Sequence, residues 1–151
     1  MIGREEQKEN DLFFVCALID YISRKTKNRR RDVVNQLGRK TVNKIYHLAD
    51  VYHSDNIDRV SDDFIKEAKI LEGDFDNIKE AKFNIPTHWD MGKIYKRLIL
   101  GASRQKNADI IDTLINVYNS FVSDKIDDYN SSFYYDAPQN ILNAYLTGII
   151  E

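Results

Sequence analysis

The sequence predicts an all-α fold, a compact multi-helix bundle of about six to seven helices, and three observations lead there. Apolar residues recur at helical spacing through most of the 151 residues. Only two prolines and six glycines interrupt the chain, which favours long helices over many short strands and turns. No internal repeat, low-complexity tract or strand pattern competes with the helical period. A hydrophobic content of 42% beside 30% charge is ordinary for a globular domain. A chain this long buries roughly 70% of the surface that its unfolded form exposes. One helical domain over 1–151 is therefore expected, with 1–71 and 86–151 as its conceivable halves, joined by a packed connection.

The first helix is expected from about Glu5 to Lys25. Leu12, Val15, Cys16, Ile19 and Ile22 keep the helical period, and Phe13, Phe14, Leu18 and Tyr21 widen the stripe until most of the circumference is apolar. Such a helix is central and packed on more than one side. After the link T-K-N-R-R-R, a short helix from Asp32 to Leu37 stops at Gly38. A second runs from about Arg39 to His53 with Val42, Ile45, Leu48, Ala49 and Tyr52 inward. Ser54, Asp55 and Asn56 make a turn, and Ser61, Phe64, Ile65, Ala68 and Leu71 mark a further helix of about three turns. Residues 72–85 are too apolar at Phe75, Ile78 and Phe83 for a solvated linker, so they read as a packed connection with one helical turn.

The clearest helix start follows. Pro86 stops what precedes it, Thr87 supplies a capping hydroxyl and Asp90 completes a capping box. The helix begins near His88 and carries Met91, Ile94, Tyr95, Leu98 and Ile99 on one face to Leu100, with a loop from Gly101 to Asn107. Ala108 to Asp127 is the longest periodic run and is expected to be one major core helix. The turn-rich Y-N-S-S-F-Y-Y-D-A-P leads to a last helix opened by Pro138, with Ile141, Leu142, Tyr145, Leu146 and Ile149 inward.

The chain offers little for catalysis. His47 and His53 lie six positions apart and point in different directions around a helix, and no His, Cys, Asp or Glu set has ligand spacing, so no metal site is expected. The glycines are scattered singly, without a phosphate-cradling loop. Cys16 sits in an apolar run that raises a thiol pKa, which excludes an activated nucleophile. Neither an enzymatic activity nor a cofactor is expected. With one cysteine, no apolar stretch near the ~20 residues that span a bilayer and a polar, acidic amino terminus, the expectation is a cytoplasmic protein with no membrane partner.

Charge is unevenly distributed. Residues 1–55 carry 11 basic and 8 acidic side chains, and residues 102–151 carry 3 and 7. Between Arg24 and Lys44, nine basic residues face only Asp32. Arg29, Arg30, Arg31, Arg39, Lys40 and Lys44 could neutralise several phosphates. Lys40, Lys44 and His47 share an outward helix face in an arrangement comparable to a helix-turn-helix, although Val34 is bulky where a small residue ordinarily lets the helices approach. A solvated basic face, satisfied by the acidic C-terminal half, is the plainer alternative. Asp127, Asp128, Tyr129, Tyr134 and Tyr135 lie in a segment, Asp124 to Asp136, with four carboxylates against Lys125. Tyrosine favours interfaces, so this segment and Trp89 are candidate contacts for a partner protein. Core packing is the competing role for Trp89 and for the aromatic cluster.

The run F-F-V-C-A-L-I-D-Y from Phe13, with Val34, Leu37, Ile45, Tyr52, His53 and Val60 to Asp63, resembles a small bacterial helical family of unknown function. The resemblance covers about residues 11–70. Some members of that family are encoded beside ADP-ribosyltransferase-like genes, which implies a toxin and antitoxin pairing and brings no catalytic residues with it. The expectation is a non-catalytic module that binds another bacterial protein, with a toxin-like enzyme as one such partner, as an antitoxin or inhibitor. The alternative is a nucleic-acid-binding regulator using Arg29 to Lys44.

Overall fold

Residues 14–20 are buried without interruption, so the helix that carries them is enclosed on every side. The computed structural model describes residues 4–150. Residues 1–3 and 151 lie outside it, as do the side chains of Arg4 and of Glu5, the residue at which the first helix is expected to begin. All regular structure among the described residues is helical, in nine α-helices and one 3-10 turn.

The central helix α1 (Arg4–Thr26) packs most extensively on α6 (His88–Lys106), then on α2 (Arg30–His47), with α3 (Ala49–His53) and α4 (Ile57–Glu67) against its remaining side. The α1 and α6 backbones come very close. A Cβ placed on Gly92 would lie 2.9 Å from the Ala17 nitrogen, so only glycine fits at that crossing. The helices α7 (Ile110–Tyr118), α8 (Phe121–Ile126) and α9 (Pro138–Thr147) complete the bundle, α7 against α2 and α6, and α9 against α6 and α8. One hydrophobic cluster joins Leu12, Ile19, Val33, Ile45, Tyr95, Leu114, Val122 and Ile141, so both halves of the chain share a core.

The connection at residues 72–85 is packed, with one helical turn, α5 (Asn77–Glu80). It continues the end of α1: Gly73 N donates to Thr26 O at 2.8 Å and Phe75 N to Lys27 O at 2.9 Å. The capping box at α6 forms as the sequence predicts, Thr87 Oγ1 accepting from Asp90 N and Asp90 Oδ2 from Thr87 N.

Several boundaries differ from the sequence expectation. Gly38 stops the helical backbone at φ +80°, ψ 160°, yet the chain resumes helix at once, so α2 is kinked there. The second half of the expected run breaks at Leu48, whose side chain is 41% exposed. Helix α4 begins at Ile57, four residues early, because the Asn56 side chain caps Asp58 N. Gly101 does not end α6. Its missing Cβ admits Leu142 of α9, whose Cδ2 would lie 2.9 Å from such an atom, and the helix continues to Lys106 before Asn107 turns left-handed. The expected Ala108 to Asp127 helix is two, divided at Asn119 and Ser120, where Asn119 exchanges hydrogen bonds with Asn35 at 2.9 and 3.0 Å. Gly148 ends α9 at φ +78°, which leaves Ile149 64% exposed.

Candidate functional site

The basic segment divides into side chains that hold the fold and side chains that face solvent. Arg30, expected on a phosphate-binding face, is instead fully buried. Its Nε donates to Asp20 Oδ1 at 2.7 Å, Nη1 to Asn77 Oδ1 at 3.3 Å and Nη2 to the Tyr129 hydroxyl at 3.2 Å. Arg24 grips the second Asp20 oxygen at 2.7 Å and also reaches Pro86 O and the Tyr129 hydroxyl. Buried charges persist only where partners of this kind compensate lost hydration. Asp20 on α1 demands such a partner, and Arg30 enters the core to meet it.

Arg29, Arg31 and Arg39 face carboxylates of the acidic C-terminal half, and Lys44 faces one of α4. Arg29 and Arg31 both pair with Asp124, Arg39 bridges Asp109 and Asp112, and Lys44 approaches Glu67 at 3.7 Å. Lys40 and His47 are exposed. A phosphate would have to displace carboxylates from most of these cations.

The expected partner-binding residues do not form one surface. Asp127 is buried, where its Oδ1 accepts from the Tyr95 hydroxyl at 2.8 Å. Burial pushes the Asp127 carboxyl up to about 7, with the Arg30 charge and the Tyr95 hydrogen bond opposing the rise. Tyr129 is buried under the Arg24 and Arg30 guanidinium groups, and burial pushes its hydroxyl up to about 12. Both residues are thus corrected from surface contacts to parts of the buried network, although Asp127, exposed Asp128 and Tyr129 also line an open, mostly acidic hollow beside Arg29, Asp74 and Asp76. Trp89 stands at the edge of an aromatic group, 5.6 Å from Phe13 and 4.6 Å from His88 between ring centres, and is 36% exposed. Packing α6 onto α1 is what it does there.

Tyr134 and Tyr135 have a different setting. They line an open groove of about 540 Å3 between α6, the strap at residues 84–86 and the start of α9. Ile85, Pro86, Ile94, Leu98, Pro138 and Ile141 supply the apolar lining, and Lys93 and Arg97 the cations. Tyr135 is 69% exposed, Ile85 46%, and Phe83 on the adjoining strap 71%. Tyr135 and Ile85 share the groove, and exposed apolar surface gathered in a groove marks interaction sites.

Sequence reasoning missed Lys93, Arg97 and Ile85 because the groove is made by three segments distant in the chain. The only local signal was the pair of cations four residues apart on the exposed side of α6. Ser123, which pairs with the Tyr95 hydroxyl at 2.8 Å, and the tyrosines around Asp127 gave no warning of the buried network either. Neither the protein-family models nor the curated proteins nor the solved structures contain a significant match to the chain.

Proposed function

We propose that this chain is a non-catalytic protein-binding module, an antitoxin or inhibitor that acts by covering a partner protein, with another bacterial protein as that partner. The observation that carries the reading is the groove lined by Tyr135 and Ile85, two large side chains that the fold leaves in water at a substantial hydration cost. The resemblance of residues 11–70 to a family encoded beside ADP-ribosyltransferase-like genes supports the antitoxin form of the reading. The buried cluster around Arg30 supports it as well, because its polar groups are hydrogen-bonded to one another and not aimed at a reactant.

The test is recovery of the tagged chain from its native cells under mild lysis. A second protein at a fixed ratio, retained through gel filtration, is the expected result. Recovery of the chain alone counts against the proposal. Titration against duplex DNA and RNA over a salt series distinguishes the regulator alternative, in which Arg29, Arg31, Arg39 and Lys44 would exchange their carboxylates for phosphates. Affinity falling steeply with added salt would favour that alternative.

A further inference from the structure

The Tyr135 groove sets two cations, Lys93 and Arg97, beside two carboxylates, Asp90 and Asp136. Lys93 and Arg97 lie four residues apart, about 6 Å along the α6 axis, and both are exposed at the rim. Neither has a carboxylate partner among the described residues, whereas Arg29, Arg31, Arg39, Lys44 and Arg104 all do. Each of the groove's two acids has one oxygen engaged within its own helix start, and neither pairs with Lys93 or Arg97 among the described residues. Asp90 closes the α6 capping box, and Asp136 accepts from Ala137 N at 2.7 Å and from Asn140 Nδ2 at 3.0 Å. The cationic edge extends along α6 past Lys96 into an adjoining hollow of about 280 Å3, which Arg97 and Pro138 share with the groove.

We propose that this groove receives an acidic segment of a partner protein, its carboxylates meeting Lys93 and Arg97 while its apolar side chains lie on Ile85, Ile94 and Tyr135. The inference rests on the protein-binding reading and names the chemistry of the partner. Two unpaired cations beside an apolar floor complement a chain that alternates acidic with aliphatic or aromatic residues. A basic segment would meet like charge at both Lys93 and Arg97. A wholly apolar one would cover two cations without pairing them, at a desolvation cost.

The experiment is selection of a random 16-residue peptide library, displayed on phage, against the full chain. The double variant Lys93→Glu, Arg97→Glu and the single variant Tyr135→Ala serve as comparison targets. All three positions are exposed, so the variants should keep the helical circular dichroism of the parent. The expected result is enrichment of sequences that combine Asp or Glu with aromatic or aliphatic residues. Synthetic copies of them should bind the double variant about tenfold or more weakly, and Tyr135→Ala more weakly than the parent. Failure to enrich any sequence, enrichment of neutral or basic sequences, or acidic peptides that bind all three targets equally would each overturn the proposal. Such a failure removes the groove assignment alone, because recovery of a stoichiometric partner from cells is read separately.

Discussion

Arg30 shows how a charged residue in a basic run can belong to the core. Four of the neighbouring cations of the run meet carboxylates at or near the surface, where an ion pair contributes little, about 0–1 kcal/mol. Arg30 is sealed against Asp20, Asn77 and Tyr129, and removing it leaves Asp20 without its buried partner. Arg30→Ala is therefore expected to cost about 3–5 kcal/mol in chemical denaturation, whereas Lys40→Ala on the exposed side should stay within about 0.5 kcal/mol. Equal effects would remove the distinction between them. Asp127 gives the same network a pH dependence. Its folded carboxyl titrates near 7 against 3.8 in the unfolded chain. The stability associated with the protonated form is complete below pH 3.8 and is lost as pH rises toward about 7. Asp127→Asn keeps an acceptor for the Tyr95 hydroxyl and removes the ionisation. The variant should gain on the parent by something on the order of 2 kcal/mol between pH 5 and pH 8, measured by urea denaturation at the two values. A constant difference across that range would show that Asp127 ionises freely.

Close approach, not hydrophobic content alone, sets how the helices pack. Gly92 on α6 lies against the Ala17 backbone of α1, and a Cβ there would meet backbone atoms at 2.9 to 3.0 Å. A backbone cannot rotate away as a side-chain tip can. Gly92→Ala would gain about 1 kcal/mol of helix propensity, yet forcing α1 and α6 apart costs about 1–3 kcal/mol. A net loss of up to about 2 kcal/mol is expected, read as a lower thermal midpoint with helical content unchanged. A variant more stable than the parent would mean that the crossing is looser than it looks. The α6 start was legible in the sequence because a capping box is local chemistry, and α1 was legible because its apolar stripe is wide. The breaks at Leu48 and at Asn119 and Ser120 were not legible. The first has no glycine or proline to mark it, and the second depends on Asn35 from a different helix. Gly101 misleads for a related reason, since its role is to admit Leu142 and not to end a helix.

The molecule as a whole separates fold-holding charge from available charge. Its acidic C-terminal half is folded back onto the basic segment, so the polarity visible along the chain is largely neutralised in space through Asp109, Asp112 and Asp124. That compensation was foreseeable as a sum and not as a pairing. The aromatic residues Tyr134 and Tyr135 were legible as candidates, but the groove that they line is built from α6, the strap at 84–86 and the start of α9, and no stretch of sequence contains it. No helix among the described residues is long and apolar enough to cross a membrane. Site-specific photocrosslinking in native cells separates the two faces, with a benzophenone side chain placed either at residue 135 or at residue 40. The proposed function predicts a discrete protein adduct from position 135 and none from position 40. Adducts from position 40 alone, to protein or to nucleic acid, would contradict it.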